Sequence, residues 1–94
     1  MVDFKEVFKK AIKETSAVAK DLKGLQVEEF VMAGEHDVRG VKGGTIKGYV
    51  FMVLCSYKAP EGQPDKVCFE VNVLENGTVG ASYNGYEAEY RKYK

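Results

Sequence analysis

Apolar positions fall into distinct patterns along the chain, and each predicts an element. From the start they recur at helical spacing: Phe4, Val7, Phe8, Ala11, Ile12, Ala19 and Leu22, with Thr15 filling the gap and lysines mostly off the stripe. Asp3 followed by Glu6 makes an aspartate-led capping box, and Val2 and Val7 stand at the spacing of a hydrophobic staple. Gly24 supplies a left-handed cap. Together these predict one helix from Phe4 to Lys23.

The next pattern is β. Leu25 to Val41 is β-rich but interrupted by Gly34 and Gly40, with Gly34 a candidate bulge. Thr45 to Lys58 then contains the one uninterrupted apolar run, Tyr49 to Cys55, seven residues long. A half-exposed strand alternates, so this run predicts a strand covered on both faces. Lys66 to Glu75 alternates, with Val67, Phe69, Val71 and Val73 on one face. Thr78 to Tyr83 reads as a fourth strand.

Turn residues join these elements. Gly43-Gly44 predicts a two-residue hairpin with Val41 facing Ile46 and Phe30 facing Tyr57. Ala59 to Asp65 is a loop by composition. Asn76-Gly77 predicts a type I′ hairpin with Leu74 opposite Val79 and Glu70 opposite Tyr83. The second strand would span about 46 Å if straight. A compact chain of this length is only about 32 Å across, with a radius of gyration of about 12 Å. The long hairpin therefore curves or its tip protrudes. After Asn84-Gly85, a further turn signal, Tyr86, Tyr90 and Tyr93 share a helical spacing and Glu87 precedes Arg91 by four. That stretch reads as a short docked helix or a tail. The predicted fold is α+β in one domain over residues 1–94: an N-terminal helix on a curved four-stranded antiparallel meander, with a short C-terminal helix.

Register decides which face is core, because a one-residue slip exchanges faces. A loop from Pro60 to Pro64 sets Cys55 opposite Phe69 and Val53 opposite Val71, and keeps both prolines out of the ladder. A competing register sets Cys55 against Cys68, where a disulfide would fit. The first is favoured. It gives the helix Phe30, Met32, Tyr49, Phe51, Val53, Cys55, Phe69, Val71 and Val73. It leaves a second apolar face with Val31, Val50, Met52, Leu54, Leu74, Val79 and Tyr83, rimmed by Glu29, Glu70 and Asn72. Such a face needs a cover. The alternatives are the chain's own C-terminal tyrosines and a second copy of the chain.

Composition narrows the function classes. Fourteen basic and fourteen acidic residues cancel, so the electrostatic drive for nucleic-acid binding has no global source. The apolar run is too short to cross a membrane. Charges interrupt the first 25 residues, which gives no signal-peptide core, and two cysteines without one read as free thiols. The expected location is the cytoplasm. His36 is the single histidine and, between Glu35 and Asp37, reads as an exposed residue near a bulge. One histidine and two cysteines do not build a zinc site, and no metal or cofactor is expected. Arg39, Lys42 and Lys47 flank a glycine-rich hairpin tip and are the candidate anion contacts.

A helix on a four-stranded antiparallel sheet resembles the layout of cystatin-like and PepSY-like modules. Gln26-Val27 and Ala33-Gly34 match pieces of the cystatin Gln-Val-Val-Ala-Gly hairpin, but they are not contiguous, and its proline-tryptophan hairpin has no counterpart. The resemblance covers layout and implies no inhibitory role. The expected function is a small non-enzymatic binding or regulatory module, homodimeric through the second face. The alternative is a small-molecule binder, or minor enzyme, with a pocket between helix and sheet whose polar atoms come from Tyr49, Tyr57, Cys55 and His36.

Overall fold

The computed structural model describes residues 3–94. The staple predicted for Val2 lies outside them. Helix α1 runs Phe4–Thr15, and Asp3 Oδ1 accepts from the Lys5 and Glu6 amides as its cap. Strands β1 (Gln26–Arg39), β2 (Thr45–Ser56), β3 (Lys66–Leu74) and β4 (Val79–Tyr86) form one antiparallel sheet in sequence order, and α2 (Glu87–Arg91) follows. The α+β meander is as predicted.

The first helix is shorter than its periodicity predicts. It ends at Thr15, Ser16 turns extended and buried, and Val18–Asp21 makes a 3₁₀ turn. Thr15 explains the stop. Its hydroxyl donates to the Ala11 carbonyl at 2.7 Å and accepts the β4-edge amide of Ala81 at 2.8 Å. A side chain that serves the backbone in this way competes with the next helical turn. Ala19 and Leu25 still reach the core beyond the break.

Two hairpins differ from their predicted turns. The β1–β2 loop spans 40–44 rather than Gly43-Gly44, closed by Gly40 N–H to Gly44 O at 3.1 Å, so Ile46 faces Val38 and not Val41. Bulges between Val27 and Glu29 and between Met32 and Gly34 then shift the register. The second, beside the predicted glycine, returns Phe30 and Met32 to the α1 face and Val31 to the other. Between β3 and β4 the loop has three residues. Gly77 N–H bonds Leu74 O and Leu74 N–H bonds Thr78 O, both at 2.9 Å. Only Gly77 takes a positive φ, 92°, whereas a type I′ turn requires one at Asn76 too. The extra residue slips β4 by one, so Val73 faces Val79 and Phe69 faces Tyr83. Val79 and Tyr83 therefore belong to the α1 face, which corrects their assignment to the second face, and Ala81 lies there with them.

The β2–β3 register is two residues from the favoured one, with Cys55 opposite Val67 and Val53 opposite Phe69. An even slip preserves faces. The α1 core holds Val53, Cys55, Phe69 and Val71 as predicted, sealed by Phe8 and Ile12. Cys55 and Cys68 end on opposite faces and are free thiols. The molecule measures 49 × 27 × 25 Å with a radius of gyration of 13.9 Å. It is longer than a compact body because β1 and β2 run on past Leu74, the last β3 partner of β2, as a two-stranded arm. No helix among the described residues is long and apolar enough to cross a membrane.

Candidate functional site

The N-terminal half of α1 lies over the start of the arm, where the sheet narrows. Phe8 fills the space beneath it, with ring centroids 4.9 Å from Phe30 and 5.0 Å from Phe51, and is 1% exposed. One helical turn further out the cover fails. Phe4 is 53% exposed, Val7 41% and Met32 52%, and the three form the lip of one groove of about 260 Å³. Phe8, Phe51 and Val73 line it from below. Tyr49 closes one side, and its hydroxyl is spent on Glu75 Oε1 at 3.2 Å. Burial, and then the Glu75 carboxylate, raise that phenol above its ordinary range, so it remains a neutral donor at physiological pH.

The groove was hidden in the sequence. Phe4 and Val7 continue the helical stripe and Met32 continues the strand pattern, so each reads as core. The mismatch of lengths predicts a curved or protruding hairpin, and the structure adds that a protruding arm leaves part of the stripe without a floor.

The predicted interface on the second face is mostly covered by its own chain. Helix α2 crosses that face and sets Tyr90, fully buried, against Met52, Leu54 and Cys68. Met52 and Leu54 are each 1% exposed beneath α2, so they are core residues and not the open partner surface the sequence predicts. Val31, Val50 and Leu74 remain half-buried beside the cover. The strap is held at β1 by one carboxylate. Glu29 accepts from Arg91 at 3.0 and 3.3 Å, from Lys94 at 3.0 Å and from the Tyr90 hydroxyl at 3.3 Å. The hydrogen bonds from Arg91 and then Lys94 hold the Glu29 carboxyl down at about 2. Arg91 also pairs with Glu87 at 2.9 Å, the predicted spacing.

The candidate polar groups are dispersed. His36 lies on the second face across from Gly48, its Nε2 buried without a hydrogen-bond partner among the described residues; a Cβ at Gly48 would stand 2.9 Å from it and 2.8 Å from Leu74. Cys55 is sealed in the α1 core, where burial pushes its thiol up to about 12. The Tyr57 hydroxyl donates to Pro64 O at 2.8 Å. Tyr49, Tyr57, Cys55 and His36 therefore do not share a pocket. At the hairpin tip Lys47 lies 3.8 Å from Glu35, while Arg39 ends β1 and Lys42 sits in the loop beside a fully exposed Val41. No set of three metal-ligating side chains gathers among the described residues.

Comparison with protein-family models, with curated proteins and with solved structures finds no match. The expected resemblance to cystatin-like and PepSY-like modules is therefore not supported by any match.

Proposed function

We propose that this chain is a non-enzymatic binding module that takes an extended segment of a partner protein along β1 and seats an apolar side chain of it in the α1 groove. The observation that carries this reading is the convergence of Phe4, Val7 and Met32, three large apolar side chains left open around one depression. Apolar surface concentrated in this way marks an interaction site. The neighbouring strand supports it. β1 is an edge of the sheet, and an extended peptide gains main-chain hydrogen bonds at such an edge while its alternate side chains enter pockets. The bulges at Glu28 and Ala33 leave Glu29 to Met32 as the regular stretch for pairing.

Size and chemistry favour a side chain over a metabolite. Small-molecule pockets run from about 300 to 1,000 Å³ and carry a few orienting polar groups. This groove is smaller, and its single hydroxyl is occupied. An apolar cavity of about 150 Å³ holds a benzene ring, so one aromatic or two aliphatic side chains fill the space. Glu35 faces Tyr49 across the β1–β2 ladder and Glu75 bonds it. A basic residue next to the apolar anchor complements that end.

Peptides selected from a displayed random library on the immobilised protein test the reading. The expected result is a family sharing an apolar residue with a basic neighbour, binding that Val7→Glu abolishes without loss of secondary structure, and amide shifts confined to β1 and the first half of α1. Absence of any enriched family, or binding indifferent to Val7→Glu, would overturn it.

A further inference from the structure

Helix α2 covers the second face through one buried aromatic side chain and ion pairs at the surface. A single helical turn and a half has no stability of its own, and α2 has five residues. It stays because Tyr90 enters the apolar patch of Met52, Leu54 and Cys68, and because Glu29 receives Arg91 and Lys94. The α1 core takes no part in either contact. Gly85, the last residue but one of β4, takes φ 108° in an irregular stretch of the β3–β4 ladder, and only the Tyr86–Val67 pair stands between it and α2. Only glycine holds that conformation without strain, and parting of the Tyr86–Val67 pair lets the chain turn there. Opening there exposes Met52, Leu54 and Cys68 next to the half-buried Val31 and Val50, an apolar strip bordered on β3 by Glu70 and Asn72.

We propose that two copies of this chain associate by exchanging α2, each Tyr90 filling the other's second face and each Arg91 and Lys94 meeting the other's Glu29. Exchange of an identical element is a low-cost route to a two-fold dimer, since every contact of the monomer is remade. Charge complementarity selects this occupant. The vacated face presents one carboxylate at the β1 end, and the chain's own C-terminal segment carries the cations spaced to meet it. This uses the second face and is independent of the groove reading.

A charge-swap experiment tests it. Glu29→Lys sets cations against cations within one copy, and Arg91→Glu with Lys94→Glu sets carboxylates against a carboxylate. In an exchanged heterodimer one junction is complementary by the swap and the other is wild type. Each variant alone is expected to be a monomer in native mass spectrometry, with Cys68 labelled by a thiol reagent several-fold faster than in the wild type. The equimolar mixture is expected to form a heterodimer with Cys68 protected again. A mixture that stays monomeric, or yields no more dimer than either variant alone, would overturn the proposal. Labelling of Cys55 reports whether a variant has lost its main core. In that event, heavy- and light-isotope wild-type chains mixed at high concentration decide the matter: mixed dimers support exchange, and monomers throughout contradict it.

Discussion

The two faces of this sheet are both apolar and are covered by different means. On one face α1 lays a stripe of Phe8, Ala11 and Ile12 across Val53, Phe69 and Val71, and the contact is almost wholly hydrophobic. On the other, α2 places one aromatic side chain on a patch of three buried residues and fastens itself with ion pairs at the surface. The first cover is part of the cooperative fold. The second is a clasp, attached by one anchor and charges that water and salt can reach. Local opening follows that kind of difference, because regions with few buried apolar contacts open at lower free energy than the core.

The largest effect is expected on the α1 face. Phe8→Ala removes a fully buried ring shared by Phe4, Phe30 and Phe51, and should cost about 3–5 kcal/mol in denaturant unfolding. Tyr90→Ala should cost less, about 1–3 kcal/mol, since the loss is bounded by the free energy that holds α2 in place. Its signature separates the faces: Cys68 becomes reactive toward a thiol reagent while Cys55 stays protected. Equal losses from the two substitutions would erase the distinction between core and clasp.

The smallest effect concerns the latch and has a defined sign. The Glu29 carboxyl is lowered from 4.5 to about 2, first by Arg91 and then by Lys94. A depressed carboxyl stabilises the folded form above its unfolded value, and the contribution disappears as pH falls through the folded one. Latching should therefore be complete above pH 4.5 and lost toward pH 2. NMR titration of the Glu29 carboxyl should show the low midpoint, and Arg91→Ala should move it upward. High salt should loosen the same contact, since these groups are partly exposed. A Glu29 midpoint unmoved by Arg91→Ala would show that the ion pair does not hold the strap.

Much of this arrangement was legible in the residues. The alternation of Lys66 to Glu75 and the unbroken run at Tyr49 to Cys55 gave the correct faces for β2 and β3, even with the register two residues off, because only the parity of the slip matters. The same logic explains the failures. At Asn76-Gly77 a two-residue and a three-residue turn use the same dipeptide, and the odd residue carried Val79 and Tyr83 to the other face. The stop at Thr15 depends on an edge amide from Ala81, 66 residues away, which no local pattern contains. Residues 86–94 carried the helical spacing of their tyrosines, yet only Tyr90 is buried, while Tyr86 and Tyr93 stay about half exposed. Spacing gave the candidates, and docking geometry chose among them. The groove was invisible for a related reason. Whether Phe4, Val7 and Met32 are core or surface depends on how far the sheet extends beneath them, and that is a tertiary property.

The most direct measurement is thiol labelling of the wild-type protein under native conditions, with Cys55 and Cys68 resolved by mass. Both are free and both are fully buried, so each reports the opening of its own face. Cys68 should label first, at a rate that rises with salt and hardly responds to low denaturant, while Cys55 should follow only global unfolding. Identical rates at both cysteines, rising together across all denaturant concentrations, would mean that α2 is as integral as α1 and that the sheet has two cores and no clasp.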